Sequence, residues 1–405
     1  MVLYRGSPYD IGIQEGKVLS QIIRINVHSF WNSLNAIGIS RDKLLDLAFN
    51  EYKSIIIESI PFYEDVFEHI KGLADGSNIS FKDLLAYNLF KGIFFPEECT
   101  MMAAMGDSTA TGNVIYLKNS DKVGGYELVG PKYYNYKEIN IVRVERFDNG
   151  IGVVGVSAAG EVGYKMAINN KGVATGSNIA RTIELKTRKV DLTTIRALDR
   201  AFLLRIGMMH PTAYDAGKAI VNELLNKPMG TPGNIHFVDA NEAYLIEGSY
   251  DRVAIARITS GVFARSNQFV IMRELNDPED VSSYARYIRA MQLLNGKKGK
   301  LTREDFVTFS QDHENGPGPN SICRHSKDPR DETSLSAMIM EINRADAESS
   351  VVMIALGKPC HAWKNPEGHI ITTIRDALNG RIPEGFMNGD VFKKFYIEEP
   401  YSAGL

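Results

Sequence analysis

The spacing of apolar positions changes character once along this chain, between Phe95 and Asn113. Upstream, Ser7-Pro8-Tyr9-Asp10 reads as a helix start: Ser7 is the N-cap, Pro8 takes the first helical position and Asp10 completes a capping box. Ile11, Ile13, Val18, Ile22, Ile23, Ile25, Val27, Phe30, Trp31 and Leu34 then recur at helical spacing. Gly12 and Gly16, one turn apart, open the backbone to close approach, either by a second helix or on a substrate side. Ser40 caps a second helix to about Ile57, Pro61 opens a third that stops at Gly76, and Ser80 with Asp83 forms a capping box for a fourth. Nothing in residues 1–95 reads as a strand.

Downstream, β-branched residues alternate with polar ones in short runs: Val114 to Asn119, Ile139 to Arg146, Ile151 to Ser157, Tyr164 to Ile168 and Val173 to Asn178. Asp148-Asn149-Gly150 is a hairpin turn, and so is Asn169-Asn170-Lys171-Gly172. Gly150, Gly152 and Gly155 spell the dinucleotide fingerprint G-x-G-x-x-G, but they fall in a hairpin with no helix behind them, which argues against a nucleotide site. Helical spacing returns at Asp191 to Ile206 and Thr212 to Leu225, ended by Pro228, Gly230, Pro232 and Gly233. Strands follow at Asn234 to Val238, Ala243 to Glu247, Val253 to Ile258 and Gly261 to Ala264. Two more helices are expected, Ser282 to Leu294 on the stripe Tyr284, Tyr287, Ile288, Met291 and Leu294, and one capped by Thr302 and Asp305. Asn320 to Arg324, Leu335 to Ile342 and Ser350 to Ala355 read as the last strands before a loop-rich tail with a helix-like stretch at Phe392 to Phe395. Alternating blocks of strands and helix pairs predict an α+β fold, two antiparallel sheets face to face with helices outside.

Composition narrows the partners. With 405 residues, 44% hydrophobic and 23% charged, this is a globular chain with material for a large core. A net charge of -3 and no basic block longer than K-K-G-K at 297–300 argue against nucleic acid. The start lacks the pattern of a secretory signal, and no apolar run reaches the roughly 18 residues that cross a bilayer, so no membrane partner and a cytoplasmic location are expected. Three widely spaced cysteines, Cys99, Cys323 and Cys360, fit a reducing compartment without a disulfide framework.

The junction itself, Glu97 to Asp121, holds the candidate chemistry. Cys99, followed by Thr100, stands where helices give way to strands. Cutting the Glu98-Cys99 bond would make Cys99 an N-terminal nucleophile whose own α-amine, with an unperturbed pKa of about 7.7–8.0, is its general base. The plain alternative is a buried structural cysteine. Further polar clusters fall at strand ends or turns: Lys118-Asn119-Ser120-Asp121, Gly176-Ser177-Asn178, Arg265-Ser266-Asn267 and Ser321-Ile322-Cys323-Arg324-His325.

These motifs, with the G-S-P-Y-D-I-G-I-Q-E-G start, I-N-N-K-G-V-A-T-G-S-N and the S-Y-A-R-Y-I-R-A helix, occur in an order that resembles the acyl-coenzyme A:6-aminopenicillanic acid acyltransferase family. These are cysteine N-terminal-nucleophile hydrolases, similar in turn to bile-salt hydrolases and penicillin V acylases. The resemblance implies a four-layer αββα sandwich, a helical pro-segment (1–98) and a catalytic domain (99–405) that stay together as an α/β heterodimer, with a homo-oligomer also open. It implies Cys99 as nucleophile, Asp121 orienting its amine, Arg324 as ionic partner beside the thiol, Asn267 as oxyanion donor and Asn178 near the scissile carbonyl. The implied substrate is a small linear acyl amide, with an acyl-CoA or an amine as candidate acceptor partner, and no cofactor. Two departures stand out. Glu98 replaces the glycine that precedes the nucleophile in many relatives, and Lys118 stands where bile-salt relatives carry arginine.

Two other classes compete. A papain-like hydrolase would activate Cys99 with His236, His313, His325 or His361, although no such protease signature surrounds Cys99. A non-enzymatic binding protein could use the same scaffold uncut. A metal site from His313, Cys323, His325, Cys360 or His361 is not expected, because the pairs lack C-x-x-C or H-E-x-x-H spacing, and hydrogen bonding near the pocket is the expected role of His313 and His325.

Overall fold

The computed structural model describes residues 3–57, 63–95, 97–123, 127–129, 132–134, 138–187, 199–226, 229–325 and 332–397. Its N-terminal part comprises β1 (Tyr4–Gly6), α1 (Pro8–Ala36), α2 (Arg41–Ile57), α3 (Tyr63–Ser77) and α4 (Phe81–Phe94). The capping box at Ser7 and Asp10 forms as the sequence requires. Ser80 makes no side-chain cap, because Asp83 turns to Arg41 at 2.8 Å instead. The expected helix signals at Pro61, Asp191 and Pro228 lie outside the described residues.

Gly12 and Gly16 serve helix packing. A Cβ on Gly12 would stand 2.3 Å from the His69 carbonyl oxygen, and one on Gly72 of α3 would stand 2.1 Å from that of Tyr9. Glycines on both helices therefore bring α1 and α3 into backbone contact, which leaves no room there for a substrate. β1 corrects the expectation of an all-helical start: it pairs in parallel with β6 (Asn140–Phe147). Three residues directly before a helix cap are too few to show a period of two.

The remaining strands are β2 (Glu98–Met105), β3 (Val114–Val123), β4 (Glu127–Val129), β5 (Lys132–Tyr134), β7 (Gly152–Ala158), β8 (Met166–Asn169), β9 (Ala174–Ile179), β10 (Gly233–Val238), β11 (Ala243–Gly248), β12 (Val253–Ile258), β13 (Gly261–Arg265), β14 (Glu332–Ile342), β15 (Val351–Leu356) and β16 (His369–Thr373). One sheet of eight runs β1-β6-β7-β8-β9-β10-β11-β12, antiparallel except at β1; the second, of six, runs β13-β2-β3-β14-β15-β16 and is antiparallel throughout. The G-x-G-x-x-G glycines lie in the β6–β7 hairpin and β7 itself, as the sequence indicated.

Alternation on β2 fixes the layers. Met101, Ala103 and Met105 join the core shared with the eight-stranded sheet, while Met102 and Ala104 pack with Ala290, Leu294, Phe306 and Phe309 of α8 (Val281–Gly296) and α9 (Arg303–Ser310). On the far side of the eight-stranded sheet lie the N-terminal helices with α6 (Arg200–Gly207) and α7 (Ala213–Asn226), after the short α5 (Ile183–Thr187). The fold is thus α+β, two packed sheets between helical layers. Buried asparagines bind the N-terminal helices to it: Asn26 donates to the Ile139 and Ala159 carbonyls, and Asn88 to that of Gly160.

Two further expectations need correction. Residues 320–325 form turns rather than a strand, since Pro317 and Pro319 in G-P-G-P interrupt backbone donation just before them. The tail is more ordered than its loop-rich sequence suggests: it contains α10 (Pro359–Ala362), β16 on the sheet edge and further short helices. Among the described residues no helix is long and apolar enough to cross a membrane.

Candidate active site

β2 begins at Glu98, so the helix-to-strand switch falls at the Glu98-Cys99 bond. The antiparallel register with β3 sets Glu98 opposite Asp121 and Cys99 opposite Ser120. The Cys99 N–H donates to Asn267 Oδ1 at 3.2 Å, while the Asn267 amide nitrogen donates to the Ile179 carbonyl at 2.8 Å. Asn267 sits in the turn after β13, which the eight-stranded sheet grips through Asn178 and Asn234, both donating to the Ser266 carbonyl. Asn178 therefore lies one step from Cys99, holding the segment that carries Asn267. The main chain just before the junction is tied to the same sheet, Ile179 N–H to the Glu97 carbonyl at 3.2 Å.

Arg286 of α8 was assigned no role from sequence, and it makes the most contacts of use here. Its Nη1 donates to the Cys99 carbonyl and to Thr100 Oγ1, both at 3.0 Å, and its Nη2 donates to Asn267 Oδ1 at 2.8 Å. The signal was the buried stripe Ser283, Arg286, Ala290 and Leu294, with small residues flanking the arginine. Reading the aromatic and apolar positions instead selected Tyr284 and Ile288, which are exposed.

Arg324 lies close to Glu98, Nη1 to Oε2 at 2.5 Å, and 4.0 Å from Asp121. Arg181 also pairs with Glu98, and Arg286 lies 3.6 Å from it. Burial would raise the Glu98 carboxyl pKa, but Arg324, Arg181 and Arg286 together hold it down at about 2. For Asp121 the balance reverses. Burial wins over Arg324, Arg286 and the 2.6 Å hydrogen bond from Ser334 Oγ, and its pKa is raised. Burial also raises the Cys99 thiol, opposed by the Lys118 ammonium and the Asp121 backbone N–H. Lys118 is itself buried and donates to the Lys165 carbonyl at 2.8 Å.

Space for the Lys118 chain exists because position 176 is glycine: a Cβ there would stand 2.8 Å from Lys118 Cδ and 2.6 Å from the Tyr116 hydroxyl. Beside Lys118 is a cavity of about 40 Å³ bordered by Phe95 and Glu97 before the junction and by Lys165, Ser177 and Arg200 beyond it. Both sides of the Glu98-Cys99 bond thus contribute to one small cavity wall. His236, a papain-like candidate base, is fully buried in β10 against Tyr116 and Phe263, with its pKa pushed far down by burial and then by Arg265 and Lys118. His313 and His325 lie together instead with Cys323 and Cys360.

A family profile described as acyl-coenzyme A:6-aminopenicillanic acid acyl-transferase matches residues 111–351, more than half of the chain. The chain belongs to this family. It is accordingly an enzyme of the amide-hydrolase or acyltransferase kind. The matched span contains Asp121, Asn178, Asn267 and Arg324, and begins after Cys99. Among solved structures, the chain is similar to an N-acylethanolamine-hydrolyzing acid amidase ortholog from Caenorhabditis elegans, at 14% identity and TM-score 0.39, over 60% of this chain and 92% of that one. It is also similar to penicillin V acylase from Agrobacterium tumefaciens, at 12% and 0.36, over 64% and 83%. A conjugated bile acid hydrolase from Clostridium perfringens gives 10% and 0.41, over 69% and 93%. At these scores the family assignment rests on the sequence match. No curated protein matches the chain.

Proposed function

We propose that this family member is a self-processing cysteine amidohydrolase or acyltransferase that cuts its own Glu98-Cys99 bond and then works from the new N-terminus. The observation that carries this reading is the environment of the Cys99 nitrogen. It lies at the start of β2, the first strand in chain order of the six-stranded sheet, it donates to Asn267 Oδ1, and the Cys99 carbonyl and that asparagine are held by one buried guanidinium, Arg286. In the uncut chain that nitrogen is an amide and no base. Attack of the Cys99 sulfur on the Glu98 carbonyl would move the acyl group from nitrogen to sulfur and free the Cys99 amine, and hydrolysis of that thioester would release the Glu98 carboxyl and restore the thiol.

In the mature enzyme the α-amine takes the thiol proton, the thiolate attacks the carbonyl of a small acyl amide, and the ammonium protonates the leaving amine. The thioester on Cys99 then passes its acyl group to water or to an amine acceptor. Arg286 supplies hydrogen-bond donors and positive charge to this region, and Asn267 accepts from the Cys99 nitrogen through Oδ1. Asp121, opposite Glu98 in the β2–β3 register, would orient the amine. The helical segment 1–98 would stay bound after cleavage. β1 is part of the eight-stranded sheet, and Glu15 pairs with Arg143 across the layers at 2.7 Å.

Denaturing mass spectrometry of freshly purified protein tests the reading: two pieces of about 98 and 307 residues are expected, co-purifying under native conditions. Cys99→Ala should stay a single chain. Cleavage of that variant at the same bond would exclude self-processing, and an acyl adduct trapped on Cys323 or Cys360 rather than Cys99 would exclude the thioester.

A further inference from the structure

Four soft or borderline donors, His313, Cys323, His325 and Cys360, each bring one ligand atom to within 4.8 Å of all the others. They come from three separate segments: the turn after α9, the turn-rich stretch before β14, and α10 after β15. The 3.6 Å from Cys323 Sγ to His325 Nε2 and the 3.1 Å from His325 Nε2 to Cys360 Sγ are close to the donor separations of about 3.3–3.8 Å in a tetrahedral S2N2 zinc site. Both cysteines are free thiols and both are buried. His313 Nε2 is sealed from solvent without a hydrogen bond.

The scaffold holds these donors in place by bonds that need no metal. The Cys323 N–H donates to the Asp312 carbonyl at 3.1 Å, which sets Cys323 beside His313, and Asp312 is clamped by Arg289 of α8 at 2.7 Å. Pro359 at the start of α10 fixes the turn that presents Cys360. A second group of metal-type residues, Glu15, His69 and Glu145, is different in kind. There Arg143 and Arg205 already neutralise the carboxylates at 2.7 and 2.8 Å, and a dication would face two guanidiniums.

We propose that His313, Cys323, His325 and Cys360 form a structural zinc site that cross-links the three segments and fixes, through Cys323, the adjoining Arg324 that holds Glu98. The absence of C-x-x-C or H-E-x-x-H spacing does not argue against it, since the fold, not the local sequence, assembles the ligands. Tetrahedral two-sulfur, two-nitrogen sites favour zinc among the common divalent metals. On binding, each thiol gives up its proton to solvent and each imidazole binds as the neutral ring. A closed set of four protein ligands leaves no position for a reacting water, so the role is structural. This proposal does not depend on self-processing.

The test is the metal content of the full chain expressed with added zinc and purified under reducing conditions. About one zinc per chain is expected. Cobalt added to chelator-stripped protein should give the visible bands of a tetrahedral thiolate site, displaced by zinc. Cys99→Ala should hold the same zinc. Cys360→Ser should lose more than roughly 100-fold in zinc affinity, beyond the range seen for lost outer-shell partners. A zinc-free protein that also takes up no cobalt would overturn the proposal. So would undiminished zinc in Cys360→Ser, or a Cys323–Cys360 disulfide in non-reduced peptide maps of anaerobically purified protein.

Discussion

Two dense groups of titratable side chains in the interior use the same ingredients to different ends. Between α1, α3 and the eight-stranded sheet, Glu15 and Glu145 face Arg143 and Arg205, with His69 and Tyr164 completing the hydrogen bonding. Two carboxylates meet two guanidiniums, and burial with Arg205 nearby disfavours a charged His69. At the junction, Glu98 and Asp121 face Arg286, Arg324 and the half-exposed Arg181. There cations outnumber carboxylates, Asp121 is pushed toward its neutral form, and a thiol sits among them. A balanced cluster locks layers together. An excess of fixed positive charge around a nucleophile suits a step that develops negative charge on oxygen or sulfur.

The comparison breaks first at its balanced side. Arg143→Met leaves Glu15 buried without its guanidinium partner and should destabilise the protein by about 3–5 kcal/mol in chemical denaturation. Replacing Glu15 and Arg143 together by methionine should recover most of that loss. Self-cleavage of the single variant, measured where it is still folded, should keep its normal rate.

At the junction the readout should reverse. Arg286→Ala should lower self-cleavage and turnover by roughly 10²–10³-fold, the loss seen for one preorganised donor, with Arg286→Lys recovering part of it. Asn267→Ala should fold and lose turnover on a similar scale. Unchanged turnover on an acyl amide would remove Asn267 from the site.

Smaller effects sharpen the picture. Gly12→Ala forces a methyl into the α1–α3 contact and should cost about 1–3 kcal/mol, read as a shift in denaturation midpoint without change in cleavage rate. Acid should act on Glu15, whose carboxyl is buried and held at about 2 by Arg143 and His69. Because the folded pKa lies below the unfolded value, its stabilisation is complete above about pH 4.5 and is lost as pH falls toward 2. Glu15→Gln should flatten that part of the stability–pH curve.

Much of the architecture was legible before any coordinates. Capping residues placed α1 and α9, hairpin turns placed β6 to β9, and the change of apolar period located the switch at Cys99. β1 and β16 escaped notice because short edge strands carry too little alternation. At the candidate site, Cys99, Asp121, Asn267 and Arg324 were nameable by their motifs, and the family match covers the last three. Arg286 was not. A charged residue on a buried helical stripe looks like a solvated one until its partners are known.

What the sequence determined by itself was local: which segments coil, which extend, and where one regime ends. These follow from spacing, caps and turns within a few residues. Tertiary structure alone decided which distant groups share a charge environment. Only folding could put Arg286 within 3.0 Å of the Cys99 carbonyl, 187 positions away, or turn Glu98 from an unexpected neighbour of Cys99 into a partner of Arg324. The same holds for His313, Cys323, His325 and Cys360, whose meeting depends on three segments packing together. Electrostatics and coordination act through space, and separation along the chain does not encode them.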